Sequence, residues 1–175
     1  MASKARSESN AWLRERTTHI AGAVLSVGSG DDRDGEGAHY RDYFKACSRY
    51  ITSDVVSNPE CELVLDVRAM PEIVDASFDC IFCSGVLEHV DDYQSALAER
   101  TRILKPGGTL LLGLPFRQAI HMAPIDYWRF TAFAVRHLLE KHGYLIDDIR
   151  AIDDNADEFP AAYWAHARKA KNDAP

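Results

Sequence analysis

The stretch Ala23-Val-Leu-Ser-Val-Gly-Ser-Gly-Asp-Asp32 decides the fold. Its apolar run stops abruptly at Gly28-Ser29-Gly30. A strand that ends on closely spaced glycines lets the backbone approach a ligand where any Cβ would collide. In an open α/β sheet, ligands sit outside the carboxyl ends of the strands. The pattern therefore predicts further parallel strands, several of them ending in a polar residue on the same edge.

Outward from residues 23–27, the chain supplies them. Tyr50-Ile-Thr-Ser-Asp54 and Glu62-Leu-Val-Leu-Asp66 read as strands two and three, each closed by an acid. Ser77-Phe-Asp-Cys-Ile-Phe-Cys-Ser84 is nearly all apolar, as a strand covered on both faces should be. Residues 109–114 and 144–149 add two more, and residues 161–168 read as a final strand or a helix, with the strand preferred. Between them lie predicted helices: residues 11–21, a short amphipathic one through Tyr40, Tyr43, Phe44 and Cys47, one capped by Asp91 or Asp92, and one capped by Thr131 and stopped at Gly143. Lys105-Pro-Gly-Gly108 reads as a turn, Asp153-Asp-Asn-Ala-Asp-Glu158 as an acidic loop, and residues 1–10 as a polar, mobile tail. Alternating strands and helices imply a doubly wound, mostly parallel α/β sheet with helices on both faces, in one domain spanning residues 1–175.

Composition narrows the partners. The 175 residues are 46% hydrophobic and 27% charged, with a formal net charge of -7. That excess of acid opposes non-specific binding to nucleic acid or an anionic membrane surface. No apolar run approaches the ~20 residues of a spanning helix. No secretory signal is read at Met1-Ala-Ser-Lys-Ala-Arg6, so a cytoplasmic setting is expected. Cys80 and Cys83 form a C-x-x-C inside a strand, where positions three apart face opposite sides, so both are expected to be buried packing residues. With no second cysteine pair, no metal site is expected. No oligomeric state is readable.

The glycine turn lacks two phosphate-binding patterns. A dinucleotide fingerprint needs a third glycine where Arg33 stands, and no Gly-Lys-Ser/Thr follows. Asp31, Asp32, Asp34 and Glu36 crowd the loop and would repel a pyrophosphate. A cationic ligand without phosphate fits better, and S-adenosylmethionine is such a molecule. Asp54 then accepts from ribose hydroxyls and Asp66 from the adenine amine.

The ordered blocks Val24-Leu-Ser-Val-Gly-Ser-Gly30, Leu65-Asp-Val-Arg-Ala-Met-Pro71, Ser77-Phe-Asp-Cys-Ile-Phe-Cys-Ser-Gly-Val-Leu-Glu-His-Val90 and Arg102-Ile-Leu-Lys-Pro-Gly-Gly-Thr-Leu110 resemble class I S-adenosylmethionine-dependent methyltransferases of the small type 11 kind. The resemblance spans residues 23–150. It implies a seven-stranded sheet of order 3-2-1-4-5-7-6 with strand seven antiparallel. It also implies that Gly28, Ser29 and Gly30 approach the methionine part, Asp54 the ribose and Asp66 the adenine. Val67 and Arg68 then flank the adenine ring, and Ser84, Gly85 and Val86 line the site. One departure stands out: the family's usual acid two residues before the first glycine is Ser26 here. Either Asp31 or Asp32 takes over the contact to the cofactor's amine, or the fold binds cofactor poorly and acts as a non-catalytic partner.

Methyl transfer needs an aligned acceptor and, for a hydroxyl, a base. Two segments offer one. Glu88-His89 follows strand four, and His121-Met-Ala-Pro-Ile-Asp-Tyr-Trp-Arg-Phe-Thr131 follows strand five. The second resembles a signature of a methyltransferase subgroup found beside glycan-modification genes. His121 is the preferred base, with His89 the other candidate. Asp126 orients the base or binds a hydroxyl, Tyr127 and Trp128 stack on a sugar or ring, and Arg129 meets an anionic group. The competing reading makes Asp126 and Arg129 a local ion pair and the aromatics a packed lid. The expected reaction is O-methylation of a small molecule or glycan; the alternatives are N- or C-methylation of a small metabolite.

Overall fold

The computed structural model describes residues 3–153 and 159–171. Its elements are α1 (Lys4–Thr17), β1 (Gly22–Val27), β2 (Cys47–Asp54), β3 (Leu63–Val64), β4 (Phe78–Ser84), α2 (Tyr93–Ile103), β5 (Leu104–Pro115), α3 (Ala132–Lys141), β6 (Tyr144–Ile152) and β7 (Ala162–Lys169). They build one seven-stranded sheet of order β3-β2-β1-β4-β5-β7-β6. The pairings among β1 to β5 are parallel, and β7 runs antiparallel to both β5 and β6. The expected topology is the observed one.

Alternation along the strands divides the core in two. Leu25, Ile81, Cys83, Leu110 and Leu112 face α2 and α3, which contribute Leu97, Ile103, Val135 and Leu139. Val24, Cys80, Phe82, Leu111 and Trp164 face the other way, against Trp12 and Leu13 of α1. Cys80 and Cys83 thus lie on opposite faces, both buried and free. Gly113 shares the Trp164 face, and an added Cβ would come 2.7 Å from that indole. Among the described residues, no helix is long and apolar enough to cross a membrane.

Four expectations need correction. The first helix is not residues 11–21; it starts at Lys4, capped by Ser3, whose hydroxyl accepts from the Arg6 N–H at 3.2 Å. Residues 4–10, expected as a mobile tail, are therefore its first turns, and Asn10 is fully buried. The amphipathic helix through Cys47 is only a 3-10 turn, Tyr40–Tyr43, and Cys47 already belongs to β2. Tyr40 and Phe44 pack on Phe82 instead of lining a longer helix. Residues 105–108 do not stand as a separate turn. β5 begins directly after α2, and its ladder jumps from Phe78–Leu104 to Cys80–Thr109, with Gly107 at φ +78° in the bulge. The acidic loop expected from Asp153 lies outside the described residues beyond Asp153 itself.

Asp92 and Thr131 do cap α2 and α3, accepting from the Ser95 and Ala134 N–H groups. Gly143, at φ +77°, follows the end of α3.

Candidate functional site

The carboxyl ends of β1, β2 and β4 share one edge of the sheet. Gly28 and Gly30 both have positive φ, +63° and +51°. The turn they form is tied to the end of β2: Ser29 N–H donates to the Ser53 carbonyl at 2.9 Å, and Gly30 N–H to Asp54 Oδ2 at 3.0 Å. A Cβ on Gly28 would stand 2.3 Å from Val86 Cγ2. Only glycine leaves that passage open. Ser26 is buried beneath the turn, its carbonyl accepting from Ser53 Oγ at 2.9 Å.

The acids of the following loop do not face this turn together. Asp32 is fully buried and accepts from Tyr50 OH at 2.8 Å and from Arg41 Nε at 3.3 Å. Asp34, also buried, accepts from Tyr43 OH, from the N–H groups of Glu36 and Ala38, and from Arg14. Burial alone would raise its pKa; these donors outweigh it and hold the carboxyl below its ordinary value. Glu36 binds Ser7 and Asn10 of α1. Asp31 accepts from the Arg33 N–H. The expected field of four carboxylates repelling a phosphate is thus not what the loop presents. Asp34 and Glu36 fasten α1, Asp32 braces Tyr50 and Arg41, and Arg6 and Arg33 line the neighbouring cavity. Asp32 is committed elsewhere and does not replace the acid missing at Ser26.

Two cavities open along the edge and share Gly28 and Gly85. The first, of about 430 Å³, is lined by Asp54, Asp66, Val67, Arg68, Val86 and His89, with Met122, Ile125 and Tyr127 over it. Asp66 is held by Arg68, whose Nη2 is 2.8 Å from Oδ2, and Arg68 also reaches Asp91 at 2.9 Å. That guanidinium keeps the Asp66 carboxyl below the usual carboxylate range. The second cavity, of about 490 Å³, is lined by Ser26, Ser29, Ser84, Glu88, Gln118, His121 and Trp164, with the cap Ser3 and Ala5, Arg6 and Ser9 of α1 closing one wall.

Glu88, His89 and His121 meet where the two cavities adjoin. One potential ligand atom from each lies within 4.8 Å of the others. The two imidazoles pack edge to face with centroids 4.7 Å apart. Glu88 is 1% exposed and its Oε2 has no hydrogen-bond partner. Burial pushes its carboxyl up. The His121 Nδ1 lies 3.2 Å from the Ala119 carbonyl and 3.3 Å from Asp126 Oδ2. Both partners are acceptors, so Nδ1–H is the donor to them, and neither contact uses Nε2. The same logic holds for His89, whose Nδ1 is 2.9 Å from the Ile125 carbonyl.

Asp126 is nearly buried and clamped in a two-pronged pair by Arg129, at 2.6 and 2.9 Å. The guanidinium, seconded by the His121 N–H, holds its carboxyl well below the usual range. Tyr127 and Trp128 N–H groups both donate to the Glu88 carbonyl, and Trp128 Nε1 donates to the Val90 carbonyl at 2.9 Å. The segment after β5 is therefore stitched to the turn after β4.

Residues 35–112 match the family described as a methyltransferase domain. The match covers less than half of the chain. A ubiquinone/menaquinone biosynthesis C-methyltransferase of Klebsiella pneumoniae is 38% identical over 81 residues, covering 46% of this chain and 30% of that protein. An uncharacterized 37.1 kDa transposon protein of Streptomyces fradiae is 45% identical over 84 residues, 47% of this chain and 24% of that one. The matches span 24–38% of the length of these curated relatives. Among solved structures, the Burkholderia thailandensis 1,6-didemethyltoxoflavin-N1-methyltransferase, with bound 1,6-didemethyltoxoflavin and S-adenosylhomocysteine, superimposes with a TM-score of 0.73 at 21% identity, covering 95% of this chain and 79% of that one. The cyclase SpnF superimposes at 0.70 with 16% identity over 94% and 80% of the two chains. At such identities the likeness is one of fold.

The structure brings Gly28, Asp54, Asp66, Val67, Arg68, Gly85 and Val86 to one cavity, and Ser29 and Ser84 to the other. Gly30 acts through its N–H on Asp54. Of the acceptor candidates, His121 lines the larger cavity, whereas His89 and Tyr127 line the smaller. Asp126, Trp128 and Arg129 line neither: the first and last are each other's ion pair, and Trp128 packs on Tyr93. The burial of Glu88, which the sequence offered only as part of the Glu88-His89 segment, and the α1 wall are the site features not read from the sequence. An acid beside His89 was the available signal for Glu88; its burial is a tertiary fact.

Proposed function

We propose that this protein transfers a methyl group from S-adenosylmethionine to a hydroxyl of a small molecule or glycan. The observation that carries the reading is the pair of cavities joined at Gly28 and Gly85, one with strand-end carboxylates, the other with Glu88 and His121. The donor set fits the cofactor: Asp54 retains acceptor capacity for ribose hydroxyls, Asp66 sits with Val67 and Arg68 for the adenine, and the glycine passage leaves room for the chain between. When bound, S-adenosylmethionine supplies a methyl group on a sulfonium, ready for in-line displacement. The chain's own residues hold the acceptor in line, and the proton of its hydroxyl goes to the lone pair that Asp126 and the Ala119 carbonyl leave free on His121.

A second reading, N- or C-methylation of a small metabolite, is supported by the N1- and C-methyltransferases among the similar proteins. A third, a non-catalytic partner protein, is favoured by the neutral Ser26 beneath the glycine turn. Free, buried Cys80 and Cys83 support a cytoplasmic setting. Titration calorimetry with S-adenosylmethionine and S-adenosylhomocysteine tests the cofactor reading; no heat from either at millimolar concentration sinks it. Once an acceptor is found, an unchanged methylation rate in His121→Ala removes that residue from the chemistry.

A further inference from the structure

We propose that Glu88, His89 and His121 bind a divalent transition-metal ion at the junction of the two cavities. Two neutral imidazoles and one carboxylate are a donor set suited to Zn²⁺, Fe²⁺, Co²⁺ or Mn²⁺. Three features of the cluster are those of a metal centre. The first is the direction of the protons. Each histidine spends its Nδ1–H on an acceptor, the Ile125 carbonyl for His89 and the Ala119 carbonyl and Asp126 for His121. That is the outer hydrogen bond which fixes a metal-ligating imidazole, and in the neutral ring it makes Nε2 the atom available to a metal.

The second is the carboxylate. Glu88 Oε2 is buried with no partner, and Glu88 Oε1 lies 3.7 Å from His89 Nε2. A buried carboxyl with one oxygen unpartnered and the other facing an imidazole nitrogen is a group that a shared cation would satisfy. The third is rigidity. Asp126 is locked by Arg129, and the Glu88 carbonyl accepts from Tyr127 and Trp128 N–H, so ligands from two distant segments are tied to one another. Bonds of about 2.1 Å set tetrahedral donors roughly 3.4 Å apart, so the donor atoms, within 4.8 Å of one another, draw in on the ion.

Three protein ligands leave positions open, and Glu88 and His121 both line the larger cavity. An oxygen bound there has its pKa lowered by the ion. This consequence rests on reading that cavity as the acceptor site. In the metal-loaded chain His121 is a ligand, and the acidity of the acceptor comes from the ion. The binding site itself does not depend on that reading.

The experiment is titration of the untagged, EDTA-treated and desalted full chain with Co²⁺, followed by visible absorption, and with Zn²⁺, followed by calorimetry. The expected result is saturation at one ion per chain. Glu88→Gln and His121→Gln should each weaken binding at least 100-fold, and Asp126→Asn about 10- to 100-fold. His137→Gln, on the exposed side of α3, should change nothing. Circular dichroism and melting select the variants that fold; His121, a third exposed, is the one least able to disturb packing. No saturable uptake by the parent overturns the proposal, as does uptake that Glu88→Gln and His121→Gln leave unchanged. S-adenosylhomocysteine binding, measured in EDTA on the same preparation, reads the methyltransferase proposal separately: a chain that binds it but takes up no ion overturns the metal site alone.

Discussion

Replacing Gly28 with alanine probes the passage between the cavities. Two costs add. An L-residue at φ +63° pays roughly 1–2 kcal/mol for the left-handed backbone. The new methyl would also stand 2.3 Å from Val86 Cγ2, where apolar carbons prefer about 3.5–4.0 Å. Val86 must give by more than an ångström, an overpacking cost of about 1–3 kcal/mol. The sum, about 2–5 kcal/mol, corresponds to a melting temperature lower by roughly 4–20 °C for a domain of this size. Gly30 provides the control: its φ is +51° but a Cβ there meets nothing within 4 Å, so Gly30→Ala should show the backbone cost alone. Thermal melts of the two variants, with Gly28→Ala/Val86→Ala to relieve the contact, separate the terms. Calorimetry should show S-adenosylhomocysteine affinity falling at least tenfold in Gly28→Ala. A Gly28→Ala protein that melts and binds like the parent would refute the reasoning.

Two further predictions follow from titration and burial. Burial holds the pKa values of His142 and His166 below the ordinary 6.5. The unfolded chain therefore takes up these protons first; their contribution to stability is whole above pH 6.5 and is lost as pH falls through the folded values. Denaturant titrations from pH 7.5 to 5 should show a slope of at most ~1.4 kcal/mol per pH unit per histidine, flattened in His142→Gln/His166→Gln. Cys80 and Cys83 are fully buried and burial raises their thiol pKa values, whereas Cys47 and Cys61 are partly exposed. An aromatic disulfide reagent should titrate those two thiols in the native chain and all four after unfolding; a fast reaction at Cys80 would contradict the strand packing.

The sheet was legible because its signals are local. Apolar runs closed by Gly28, Asp54 and Asp66, and caps at Asp92 and Thr131, follow from periodicity and hydrogen-bonding chemistry confined to a few residues. The loop after β1 was not. Its four acids read as a charge cloud over the ligand, yet Asp32 and Asp34 are buried against Tyr50, Arg41, Tyr43 and Arg14. No spacing rule pairs Asp34 with Arg14 across the first strand. The cluster at Glu88, His89 and His121 was half legible. Each residue stands in a segment that must follow a central strand, but that the two segments meet depends on backbone bonds from Tyr127 and Trp128 to the Glu88 carbonyl. The Asp126–Arg129 pair was readable as either a binding group or a clamp, and burial decides for the clamp.

One wall of the larger cavity is hung rather than woven. Ala5, Arg6 and Ser9 belong to α1, which is held by Trp12 against Trp164, by Arg16 on Asp148 and by Asp34 and Glu36 on its polar side. None of these attachments is a sheet ladder. Substitutions at those three positions can therefore recut the cavity while the strand register, the glycine turn and the strand-end carboxylates stay untouched. A scaffold built this way can exchange what it recognises on one side at small cost to what it recognises on the other.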